Sequence, residues 1–181
     1  MSILSNESSS HKGCAEVILL FSAVAQRLNI GGHTMITQEY IKKFALKQKT
    51  AFIGSVDENG FPNIKAVFAP QKIEGNCYYF SCNTSAMRSQ QYMKNPKACL
   101  YFYQRGRFQY EGIMLVGSME VSQDIELKKA LWQKGDTAYY KEGVNDPDYC
   151  VLKFTAQKGR RYCDLHSENF ILDTDSAETE D

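Results

Sequence analysis

At 181 residues the chain has the length of one domain with a full core, and 43% hydrophobic with 12% aromatic residues exclude a disordered polymer. Its 21 basic residues balance 21 acidic ones, which excludes a global electrostatic pull toward nucleic acid. The balance hides an asymmetry: the last nine residues hold five acids (Asp173, Asp175, Glu178, Glu180, Asp181) and no base. The remainder therefore carries 21 bases against 16 acids, a mildly cationic body suited to a small anionic ligand.

Residues 1–34 read as an N-terminal extension. Cys14 to Leu28 is apolar, and Ala23-Val24-Ala25 mimics a signal-peptidase site. Lys12 is the only early lysine or arginine, however, and Glu16 interrupts a run too short to span a bilayer. An amphipathic helix is the reading these residues favour over a secretory leader, and Met35 as the natural start is a further one.

Ile36 to Lys47 has helical spacing, with Thr37 as cap, Glu39 in the first turn and Tyr40, Ile41, Phe44 and Ala45 on one apolar face. Thr50 to Val56 reads as a strand and Asp57-Glu58-Asn59-Gly60 as a hairpin turn. Pro62 to Ala69 returns as a strand, with Ile64, Ala66 and Phe68 on one face and Asn63, Lys65 and Val67 on the other. After a turn at Glu74-Gly75-Asn76, Cys77 to Cys82 forms the third strand. A short helix follows Thr84 and stops at Asn95-Pro96, as proline requires.

Ala98 to Tyr103 is the next strand, and Arg105-Gly106-Arg107 a basic turn. Phe108 to Val121 is a long strand with Gly112 and Gly117 as bulges or kinks. Gln123-Asp124 opens a helix through Leu127, Leu131 and Trp132. Asn145-Asp146-Pro147-Asp148 is a strong turn, and Tyr149 to Thr155 the last main strand. Lys158-Gly159-Arg160 reads as a turn before Arg161 to Asp164. Six antiparallel strands with few helices make a mainly β chain, most simply a small barrel, because closure removes exposed edges.

The stretch from Asn83 to Pro96 carries the clearest chemistry. Thr84 and Ser85 stand where a helix start leaves backbone N–H groups unpaired, and Arg88 lies one turn in. Strand, hydroxyls, helix and cation together form an anion cradle suited to phosphate. An ordinary capped helix is the plainer alternative. The six cysteines form no C-x-x-C pair and the three histidines do not cluster with them, which argues against a structural zinc site and for a reducing, cytoplasmic setting.

In order and spacing, these pieces resemble the pyridoxamine 5′-phosphate oxidase-like, FMN-binding split-barrel family, in its general-stress-protein branch. The matching stretches are Asp57 to Lys65, Thr84-Ser85-Ala86-Met87-Arg88 through Lys94-Asn95-Pro96, Ala98 to Tyr103, Leu115 to Val121, and Asp146-Pro147-Asp148-Tyr149. The resemblance implies a six-stranded antiparallel split barrel over residues 35–165, with 166–181 as an acidic tail. It implies a homodimer with FMN at the subunit interface, a small-molecule redox partner, and neither nucleic acid nor membrane. Lys65, with its neighbours Ala66 and Val67, matches the basic position on the second strand. Phe80, Ser81 and Cys82 would line the flavin, and Thr84, Ser85 and Arg88 would contact its phosphate.

Two departures qualify this. The family's Ser-x-Lys at the helix start has Met87 at the lysine position, and the Arg-x-His of true pyridoxamine phosphate oxidases is replaced by Asp164-Leu165-His166. The expectation is therefore an FMN-dependent oxidoreductase of unspecified substrate rather than a vitamin B6 oxidase. A non-catalytic binder of a deazaflavin or of haem, with His166 as the available haem ligand, is the alternative. A structural dimer with a decayed flavin site is a third. Trp132, Tyr139 and Tyr140 either cap the groove or belong to the core.

Overall fold

The computed structural model describes residues 36–107 and 109–172, so the expectations for residues 1–34 and 173–181 lie outside it. Helix α1 (Gln38–Leu46) starts as its sequence predicts: the Thr37 hydroxyl accepts the Tyr40 N–H, and Ile41, Phe44 and Ala45 are buried. Eight strands follow, two more than the sequence suggests. They are β1 (Thr50–Val56), β2 (Pro62–Phe68), β3 (Lys72–Glu74), β4 (Cys77–Asn83), β5 (Lys97–Arg105), β6 (Tyr110–Ser122), β7 (Tyr149–Cys163) and β8 (His166–Ile171). Helix α2 (Met87–Lys94) lies between β4 and β5, and α3 (Ile125–Leu131) between β6 and β7. The short strands β3 and β8 account for the difference in number.

All pairings are antiparallel, in the order β2-β1-β5-β6-β7-β4-β3, with β8 paired to β7. The end strands β2 and β3 do not pair, so the sheet is a split barrel. One apolar cluster joins Ile53 of β1, Leu100 and Phe102 of β5, Leu115 of β6, Phe80 of β4 and Phe154 of β7, strands from both ends of the path. The sheet must therefore wrap round this core. Helix α1 is fastened to it by Tyr40, whose hydroxyl donates to Glu111, and Glu111 also accepts from Arg161 Nε at 2.5 Å. Burial and the adjacent Glu111 push the Tyr40 phenol up to about 12.

The predicted turn at Lys158-Gly159-Arg160 is not a turn. Strand β7 runs unbroken through it, with Gly159 opposite Leu115 on one side and Phe170 on the other. Glycine serves close approach here: a Cβ at this position would lie 2.3 Å from the Phe170 ring. Residues 166–172, read with the tail, supply β8 and the buried Leu172. The two glycines of β6 also divide. Gly117 sits at a break in the β6–β7 register whose extra residue is Gln157 of β7, whereas Gly112 stays in register beneath the Tyr101 side chain.

The outer face of the sheet is less polar than an exposed surface requires. Register places Ala66, Phe52, Tyr101 and Met114 in one row outside the barrel. Beside them on β2, Ile64 is 74% and Phe68 89% exposed.

The glycines make a stability contrast. In Gly117→Ala the new methyl meets the Thr155 carbonyl at 1.9 Å, a backbone obstacle that cannot rotate away. In Gly112→Ala it meets the Tyr101 hydroxyl, the mobile end of a side chain. Urea denaturation should show a loss of about 3 kcal/mol for the first and about 1 kcal/mol for the second. Equal losses would mean that the bulge backbone relaxes.

Candidate functional site

Helix α2 is held against β1 by two contacts: Tyr92 donates its hydroxyl to the Gly54 carbonyl at 3.0 Å, and buried Ser55 donates to Gln91 Oε1 at 2.6 Å. This seating leaves a groove of about 320 Å³ between β2 and the start of α2. Its walls include Lys65 and Asn63 of β2, Ser55 of β1, and Ala86, Met87 and Arg88 at the helix start. Lys65 reaches it because it pairs with Ile53 and so shares the inward face of the sheet. A neighbouring groove of about 570 Å³ lies between the β1–β2 turn and α2, and shares Met87 with the first.

The helix is capped differently from the sequence expectation. Ala86, not Thr84 or Ser85, is the N-cap, and no side chain caps it. The two hydroxyl residues are taken up by a distant loop. The Ser85 N–H donates to Asp148 Oδ1 at 2.7 Å, and Asn83 Nδ2 to Asp148 Oδ2 at 2.8 Å. Thr84 donates its hydroxyl to the Pro147 carbonyl at 3.2 Å and accepts from Gln123 Nε2 at 2.7 Å. The Asn83 amide and then the Ser85 N–H hold the Asp148 carboxyl below the usual carboxylate range.

A carboxylate thus occupies the turn where phosphate was expected, and the available donors lie one step further along. The amides of Met87, Arg88 and Ser89 have no acceptor among the described residues. Arg88 is half-buried, and its Nε is shielded from solvent without a hydrogen-bond partner. Lys65 is exposed and has no ion-pair partner among the described residues. Such an arrangement fits a phosphate, which would satisfy the guanidinium and the open amides together.

The other sequence-selected residues fall elsewhere. Ala66 faces outward and Val67 packs against the core. Phe80 and Cys82 are buried in the core, and Ser81 bonds the Tyr149 hydroxyl at 3.0 Å. Cys82 lies behind the helix start, 3.4 Å from Ser89 Oγ and opposite Cys150. Cys150, then Ser89 and Arg88, draw its thiol down against the cost of burial, while Cys150 is driven up by the same pairing. Trp132 and Tyr140 pack with Tyr149, at centroid separations of 5.1 and 4.7 Å, and line neither groove. Two further groove residues, Ser55 and Asn63, are not among those the sequence singles out for the site, although Asn63 shares the Lys65 face of β2. The available signal was a hydroxyl at Ser55 where β1 otherwise alternates apolar residues inward.

Among the described residues no group of three or more His, Cys, Asp or Glu could hold a metal ion, and no helix is long and apolar enough to cross a membrane. A family model described as pyridoxamine 5′-phosphate oxidase matches residues 37–163. A solved protein from Clostridium acetobutylicum, related to general stress protein 26 of B. subtilis and described as of the pyridoxinephosphate oxidase family, is 35% identical. The match covers 76% of this chain and 97% of that one, with a TM-score of 0.64. General stress protein 26 from Bacillus anthracis shares the fold at 17% identity, 75% and 98% coverage and a TM-score of 0.60. A heme binding protein from Mycobacterium smegmatis shares it at 14% identity, 77% and 60% coverage and a TM-score of 0.60. No match was found among curated proteins.

The Asp148 clamp titrates with a definite sign. Its carboxyl is depressed in the folded chain, so the clamp is intact above the ordinary Asp range, near about pH 3.9, and is lost as pH falls through the lower folded value. In an NMR titration the Ser85 amide resonance should move with a midpoint below about pH 3.9, and Asp148→Ala should abolish that step. A midpoint at or above the ordinary value would contradict the clamp.

Proposed function

We propose, from the premise that this chain belongs to the pyridoxamine 5′-phosphate oxidase family, that it is an FMN-binding homodimer acting as an oxidoreductase. The observation that carries this reading is the unpartnered, shielded Arg88 Nε, set beside Lys65 and the open amides of α2. A phosphate dianion is the ligand chemistry that answers all three donors. Lys65 and Arg88 would hold the FMN phosphate, while Thr84, Ser85 and Asp148 keep the preceding turn rigid. Met87, where the family has lysine, adds no charge and is 66% exposed at the groove.

When bound, the flavin supplies the electron-transfer chemistry; the protein binds and orients it. The neighbouring groove, with Asn59, Gln90 and Gln91 on its walls, gives room for a small-molecule redox partner. The dimer is supported by the apolar outer row of the sheet and by Ile64 and Phe68 on the edge strand β2, which a second copy would cover. Pyridoxamine phosphate is not the substrate proposed, because Asp164-Leu165-His166 lacks the arginine of the Arg-x-His pattern. A haem reading would depend on His166, which is exposed on β8 and lines neither groove.

Flavin fluorescence titration tests the assignment. Lys65→Ala and Arg88→Ala should each weaken FMN about ten- to a hundredfold and leave riboflavin unchanged, as expected for charge-assisted bonds to phosphate. Met87→Lys should tighten FMN. Wild-type protein that leaves FMN fluorescence untouched would sink the reading. Sedimentation should show a dimer that Phe68→Glu dissociates.

A further inference from the structure

Lys128 of α3 carries a charge that the groove does not explain. It is 4% exposed, and a buried ammonium is costly unless its protons and charge are answered. Its Nζ donates to Gln123 Oε1 at 3.3 Å and to the Asp146 carbonyl at 3.1 Å, and lies 5.4 Å from the Tyr149 ring centroid. No carboxylate pairs with it among the described residues. The nearby acids are committed to amides: Asp146 accepts from the Asp148 and Glu142 N–H groups, and Asp124 from that of Leu127.

Both oxygens that Lys128 binds lead to the Asn83–Ser85 turn that precedes α2. Gln123, held through its oxygen, gives its Nε2 to the Thr84 hydroxyl at 2.7 Å. Asp146 belongs to the loop whose Asp148 grips Asn83 and Ser85. An ammonium has three donors, enough to bridge both oxygen acceptors, and its charge is favoured near the aromatic face.

We infer that Lys128 is a positioning residue for ligand phosphate: from behind the groove it fixes Gln123 and the 145–148 loop, and through them the turn that aims the first amides of α2. The inference rests on reading the groove as the FMN phosphate site. It assigns Lys128 an effect on the phosphate half of the ligand alone.

The test is a double-mutant cycle on the full chain, with FMN and riboflavin as probes. Lys128→Met and Gln123→Ala should each lower FMN affinity about tenfold with riboflavin affinity unchanged, and the double variant should lose no more than Lys128→Met. Equal losses for both ligands, no loss, or losses that multiply would overturn the inference. Gln123 is exposed, so Gln123→Ala decides the matter if Lys128→Met fails to fold. Wild-type protein that binds riboflavin and FMN equally, or neither, removes the phosphate site itself and the inference with it.

Discussion

Strand β7 pairs with three others, and that shared ladder decides where the rest of the chain can go. Its first half lies between β4 and β6, its second between β6 and β8. A strand enclosed on both sides has no free edge, so its fifteen residues are fixed in register. The extra residue Gln157 of β7, opposite Val116 and Gly117, lets β7 bend without giving up the ladder. Because the pairing of β4 with β7 ends at Asn83 and Tyr149, Asp148 arrives beside the turn that leaves β4. The grip on Asn83 and Ser85 is thus a consequence of sheet register.

That register also sets the electrostatics of the groove. An anion cannot share the Ser85 amide with the Asp148 carboxylate, so the Thr84–Ser85 turn becomes a strut and the open donors move to the helix start. Charge elsewhere around the turn already has a local answer: Asp148 in amides, Lys128 in neutral oxygens. Arg88 differs, since part of its guanidinium is shielded from water and bonded to nothing. A buried donor in that state costs its desolvation without a compensating bond.

Much of the fold was legible in the chain. Thr37 caps α1 and Asp124 caps α3 through contacts three residues long, which sequence spacing reveals directly. Gly117 marks the register break opposite Gln157. The family resemblance, carried by short motifs in order, led to the split barrel, and two residues it names, Lys65 and Arg88, come to line one groove. What escaped was long-range. Ser85 reads as a helix cap until a carboxylate 63 residues away takes its amide. Gly159 reads as a turn until Phe170 is seen lying against it. Phe80 and Cys82 flank Ser81 on a strand whose faces are nearly all covered, so alternation gave no warning that their side chains point into the core.

The segment matched by the family model stops at residue 163, yet the molecule does not. Phe170 covers the bare backbone at Gly159, and Leu172 fills a place in the main core, with its N–H donated to Gln157. A protease cut after Leu165 would therefore do more than trim a tail. It would strip the second half of β7 of one partner and uncover the backbone at Gly159. The boundary that family likeness draws and the boundary that folding needs are several residues apart.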